Sequence, residues 1–158
     1  MTGVMIREFD RLTDGEVELM LRAPLLVCIL IAGADGTIDR KETREAIGFV
    51  RKQAEQQRSV LEEYFREVYP DFEDKLKILI QSYPYESTQR TPMIASEMAA
   101  LGGLWVKLGK DFSHHFYTML RSLAERVASS SGGILGIRSV GTEEARLIGL
   151  PMIEAPRL

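Results

Sequence analysis

Apolar positions recur every three or four residues over most of this chain, the period of helices that bury one face. Thr13-Asp14-Gly15-Glu16 has the form of a capping box, so a helix is expected from there to about Ala34. Its second half, Ala23 to Ala34, is the most apolar stretch of the chain and reads as a helix buried inside a bundle. Pro24 lies within that pattern. Proline lacks an amide proton and crowds the preceding turn, so a kink or a break near Ala23 is expected. Gly33-Ala34-Asp35-Gly36 stops the helix.

Asp39-Arg40-Lys41-Glu42 starts the next helix, which carries Ala46, Ile47 and Val50 on its apolar face and fades near Gln56. Ser59 is expected to cap a shorter helix through Leu61, Phe65 and Val68, ended by Pro70. Asp71 opens another, with Phe72, Leu76, Leu79 and Ile80 at helical spacing, closed by Tyr83-Pro84. Thr91-Pro92 predicts a helix start with proline in the first turn; that helix meets Gly102-Gly103, with Leu104, Trp105 and Leu108 suited to extend it and Gly109 a second stop. From Asp111, Phe112, Phe116, Leu120, Leu123 and Val127 form one buried stripe. Ser129 to Gly133 ends it, a glycine-rich loop runs to Gly141, and Thr142 opens a last helix through Ala145, Leu147 and Ile148. Pro151 and Pro156 bracket a tail expected to run extended across the surface. No segment alternates in the manner of a strand; only Ile134 to Val140 suits a short extended stretch. The expectation is an all-α bundle of about seven helices in a single domain spanning residues 1–158, with an N-terminal extension to residue 12 and a tail from residue 151.

A chain of 158 residues can bury a core without covalent staples. Cys28 is the single cysteine and sits in the run Leu25–Ile31, where a thiol packs as a small hydrophobe. The start of the chain is no signal peptide, since Arg7, Glu8 and Asp10 interrupt it, and the apolar stretch 23–34 is too short to span a bilayer. A cytoplasmic protein without a transmembrane segment is expected. The net charge of −3 speaks against nonspecific nucleic-acid binding, which needs a basic face.

The stretch 34–42, Ala-Asp-Gly-Thr-Ile-Asp-Arg-Lys-Glu, is echoed by 136–144, Gly-Ile-Arg-Ser-Val-Gly-Thr-Glu-Glu. Each follows a long apolar helix and places a β-branched residue, Ile38 or Val140, before an acidic first turn. In register, Glu42 matches Glu144 and Lys41 matches Glu143. Asp39 falls on Gly141, and Asp35 has no counterpart. Two such helix-turn-helix units can pack about a pseudo-twofold axis and bring their turns together.

The first of these motifs, with the loop Ser131-Gly132-Gly133-Ile134-Leu135-Gly136-Ile137 leading to Glu144, resembles the tellurite-resistance TerB-like family. The resemblance covers roughly residues 19–150. It implies an all-helical bundle with a negatively charged surface, divalent-metal binding, and a part in tellurite resistance and stress response. The missing second Asp-Gly and Gly141 depart from a symmetric two-part acidic site.

Asp35, Asp39 and Glu42 can converge carboxylate oxygens on a hard cation such as calcium or magnesium. Asp39 and Glu42 also make a complete capping box with no metal, and Asp35-Gly36 is an ordinary turn pair. Glu143 and Glu144 suit the positive start of their helix. Should folding set them beside Asp35 and Glu42, the crowded charges would favour a cation. A standard EF-hand loop is not expected, because its earlier ligand positions fall on Ile31 and Gly33. The glycines at 132, 133 and 136 lack the lysine and serine of a phosphate loop. His114 and His115 are adjacent, so on a helix they point about 100° apart and read as surface or boundary residues. His115 is expected nearer the apolar stripe. No nucleophile–base pair has a recognisable setting, so no enzyme is expected. The expected function is a non-catalytic module binding a divalent cation, with stress-response proteins or a second copy of the chain, as a homodimer, as partners. The alternative is a metal-free protein-interaction scaffold using an apolar groove or the region of Tyr83, Tyr85 and Trp105.

Overall fold

A helix that is apolar on every side has to lie inside the molecule. The first helix, α1 (Asp14–Ala32), does so: every residue from Ala23 to Ala32 is buried. The computed structural model describes residues 6–34, 38, 40–56, 59–130 and 142–157, with the backbone alone for 142–144. Around α1 stand α2 (Arg40–Glu55), α3 (Glu62–Val68), α4 (Phe72–Ser82), α5 (Ser87–Ala99), α6 (Lys110–Ser130) and α7 (Thr142–Leu147). Helices α2, α4, α5, α6 and α7 all pack directly on α1, and α2 also packs along α6. No strand occurs among the described residues, so the chain is an all-α bundle. None of its described helices is long and apolar enough to cross a membrane.

The capping box at the head of α1 is formed as its sequence predicts. The Glu16 amide donates to Thr13 Oγ1 at 3.2 Å, and the Thr13 amide donates to Glu16 Oε1 at 2.9 Å. Pro24, in contrast, neither breaks the helix nor divides it in two, because its neighbours make good the missing donor. An ordinary residue at 24 would donate its amide to the Met20 carbonyl, four residues back. Here the hydroxyl of Tyr64 on α3 donates to that carbonyl instead, at 2.5 Å. Tyr64 is itself fully buried, and its ring meets Phe9, Phe65 and Phe116 edge-on at 6.3, 5.3 and 5.1 Å.

The α6 stripe lies as the spacing predicts, with Phe112, Phe116, Leu120, Leu123 and Val127 all buried. Other boundaries moved. Pro70 ends α3, but the chain passes through a 3₁₀ turn, Tyr69–Asp71, straight into α4. Asp71 makes no side-chain cap and pairs with Lys75 one turn on. Helix α5 starts at Ser87, ahead of Thr91, so Pro92 sits inside it. The carbonyl that Pro92 leaves without a donor belongs to Thr88, which is exposed, so water can serve it. The run does extend past Gly102-Gly103, but as a 3₁₀ segment from Ala100 to Lys107. The tail is held more firmly than a surface strap, because Leu150 and Ile153 are buried in the core. The glycine-rich loop and the Ile134–Val140 stretch lie outside the described residues.

Candidate functional site

Three polar or charged side chains are buried among the described residues: Glu42, Arg90 and Ser113. Each is costly to bury without compensation, so each marks a place where the fold commits chemistry.

Glu42 stands in the first turn of α2 and is 2 % exposed. Helical spacing explains its position. Residues 42, 46, 49 and 50 share one face, and Ala46, Phe49 and Val50 are the buried residues of that face. The carboxylate therefore heads the apolar stripe by which α2 enters the bundle. Cys28 on α1 lies within its electrostatic reach. Burial pushes the Cys28 thiol far above its ordinary range, and the negative charge of Glu42 pushes it further. A thiol in that setting stays protonated and packs as a hydrophobe.

Capping alone does not require such burial. Glu16 occupies the same position in the capping box of α1, yet remains partly exposed and bonds to Lys107 Nζ at 2.8 and 3.0 Å. That ammonium and the Thr13 amide hold the Glu16 carboxyl below its ordinary range.

Arg90, on α5, fastens the C-terminal end of α1. Its Nη2 donates to the Gly33 carbonyl at 2.8 Å, and its Nη1 donates to the Tyr85 carbonyl at 2.7 Å. Gly33 has an ordinary φ of −96°, so its backbone does not demand glycine. Space does: a Cβ there would lie 2.5 Å from Arg90 Nη2. Arg90 was not anticipated from the sequence, although it falls four and eight residues before the buried Ile94 and Met98.

Of the five acidic residues expected to bind metal, Glu42 alone has a described side chain. Asp35 and Asp39 lie outside the described residues, as do the side chains of Glu143 and Glu144. The backbone of α7, which carries the last two, packs on α1. Among the described residues no three His, Cys, Asp or Glu side chains gather as a ligand set. His114 and His115 are both exposed, so His115 does not join the apolar stripe. Its Nδ1 lies 2.8 Å from the Asp111 carbonyl oxygen and 3.3 Å from Asp111 Oδ1, which turns the ring back along the helix surface. The expected aromatic patch is divided in its roles. Trp105 is buried and donates to the Glu154 carbonyl at 2.7 Å; Tyr83 bonds to Glu97; Tyr85 is 77 % exposed.

Comparison of the chain with family models, with curated proteins and with solved structures finds no match.

Proposed function

We propose that the chain is a non-catalytic helical module that takes up a divalent cation at the α1–α2 connection, with Asp35, Asp39 and Glu42 as its carboxylates and Glu143 and Glu144 as second choices. The observation that carries this reading is the burial of Glu42. Its counterpart Glu16 caps a helix from a partly exposed position, so capping does not account for a carboxylate placed inside the bundle. A buried carboxylate at the head of α2, shortly after Asp35 and Asp39 in sequence, suits a hard cation that three carboxylates share, whatever other partners Glu42 has. The link to tellurite resistance and stress response rests on the resemblance of residues 34–42 and 131–144 to the TerB-like family.

The test is thermal melting of the full chain after chelator treatment, with calcium, magnesium, manganese or zinc added back. Binding at a hundred times Kd stabilises by about 2.7 kcal/mol. For a chain of this size that is a rise of roughly 5–10 °C. The rise is expected to vanish in Asp35→Asn/Glu42→Gln. A wild-type melting temperature indifferent to every cation rejects the proposal and favours the scaffold reading, for which exposed Tyr85, Ile78 and Val106 offer apolar contacts.

A further inference from the structure

A second feature is lined by no residue of α1 or α2. The 3₁₀ segment, the head of α6 and the tail enclose an open cavity of about 770 Å³. Such a volume suits a small organic ligand. The tail makes one wall, fixed by the bond from Trp105 Nε1 to the Glu154 carbonyl and by close packing on Gly102, where a Cβ would meet the Glu154 backbone at 3.3 Å. Trp105, Val106, Leu108 and Pro156 give the cavity an apolar lining, and Val106 is 76 % exposed.

At one point this lining turns polar. Ser113 lines the cavity and is 1 % exposed, yet its Oγ has no hydrogen-bond partner among the described residues. Buried hydroxyls are almost always bonded, so one left open beside a cavity marks a place for an acceptor or donor from outside. Lys110 and Arg157 border the same cavity, and neither forms an ion pair among the described residues. Lys110 is the first residue of α6, whose positive end adds to the field. Two carboxylates oppose it. Glu154 is at the rim, and Glu8 already accepts from the Gly109 amide at 3.4 Å. Glu8 thus takes the outermost amide, while Ser113, Lys110 and Arg157 remain for a ligand.

We infer that this cavity binds a small amphipathic carboxylate, with its anionic head on Ser113 Oγ, Lys110 and Arg157 and its hydrocarbon body along Trp105, Leu108 and Pro156. The apolar lining selects the body. The two cationic side chains that no ion pair engages, together with a hydroxyl lacking a partner among the described residues, select the head.

Trp105 is the single tryptophan of the chain and lines this cavity, so its fluorescence is a probe of it. The experiment titrates the full chain with octanoate and, as its uncharged match, with 1-octanol. Octanoate is expected to saturate the fluorescence change with at least tenfold higher affinity than 1-octanol, and to weaken as salt is added. Ser113→Ala should reduce octanoate affinity about tenfold while leaving the unliganded melting temperature equal or higher. Lys110→Ala/Arg157→Ala, at two exposed positions, should remove the preference for octanoate. Equal affinity for the two probes, no fluorescence change with octanoate, or unchanged affinity in both variants overturns the assignment. A marked fall in melting temperature for Ser113→Ala does so as well, since it would give the hydroxyl a structural partner.

Discussion

Tyr64→Phe isolates the repair of Pro24. The substitution keeps the ring, and with it the edge-on contacts to Phe9, Phe65 and Phe116, and removes one oxygen. What is lost is the donor to the Met20 carbonyl, which Pro24 cannot replace. A buried acceptor stripped of its donor costs about 1–3 kcal/mol, beyond the roughly 1 kcal/mol of an ordinary hydrogen bond. A loss of about 2 kcal/mol is expected here, a fall in melting temperature of roughly 4–8 °C for a chain of this length. Burial holds the Tyr64 hydroxyl well above its ordinary range, so it is a donor at neutral pH. The decisive measurement is a double-mutant cycle with Pro24→Ala, read by urea unfolding with circular dichroism. An alanine in place of Pro24 carries the amide that proline lacks, so it should offset the loss of the hydroxyl. Destabilisation by Tyr64→Phe is therefore expected to be at least about 1 kcal/mol smaller in the Pro24→Ala background. The sign of Pro24→Ala alone does not matter, since the cycle cancels it. Additivity within about 0.5 kcal/mol would show that the hydroxyl and the proline act independently, and the account of how α1 tolerates its proline would be wrong.

Three shorter predictions follow from the same packing. Glu16 is held below its ordinary value of 4.5 in the folded state, so it contributes stability above that value, lost as the pH falls through its folded value. The melting-temperature gap between wild type and Glu16→Gln should therefore be constant at neutral pH and close in acid; a gap that persists in strong acid refutes the pairing with Lys107. Cys28 is fully buried with its thiol pushed up, so labelling by a disulfide reagent should be on the order of a thousandfold slower in the native protein than in urea. Comparable rates would place the thiol near solvent. Gly33→Ala forces its methyl group into the Arg90 guanidinium and should cost about 1–3 kcal/mol by equilibrium unfolding. In an Arg90→Ala background that cost should largely disappear, and an undiminished cost would locate the strain elsewhere.

Helical periodicity made most of the bundle legible. The α6 stripe, the burial of α1 and the capping box at Thr13 all follow from local spacing. What failed to show was set by partners far along the chain. Pro24 reads as a break because the tyrosine that repairs it lies far off in sequence, 44 residues from the carbonyl it serves. Thr91-Pro92 reads as a helix start because nothing local shows that Arg90 is fastened to the Gly33 carbonyl, 57 residues distant. Likewise, two prolines suggest a loose tail, while the residues that anchor it, Leu150 and Ile153, have no periodic pattern to reveal them.

The three buried polar residues show where a sequence could have been read further. Glu42 heads the stripe through Ala46, Phe49 and Val50; Arg90 heads that of Ile94 and Met98; Ser113 precedes Phe116 and Leu120 by three and seven residues. In each case a polar residue occupies an apolar register, which helical spacing alone can detect. Spacing cannot distinguish their purposes, because those depend on what the rest of the chain brings to each one. The guanidinium of Arg90 is used in closing the end of α1, a structural task. Ser113 lines a cavity bordered by two cationic side chains, and Glu42 stands in the first turn of α2, shortly after Asp35 and Asp39 in sequence. Conservative substitutions should therefore separate them. Changes at Arg90 should lower stability whatever is added to the solution, whereas Glu42→Gln and Ser113→Ala should alter the response to a cation and to a carboxylate, respectively.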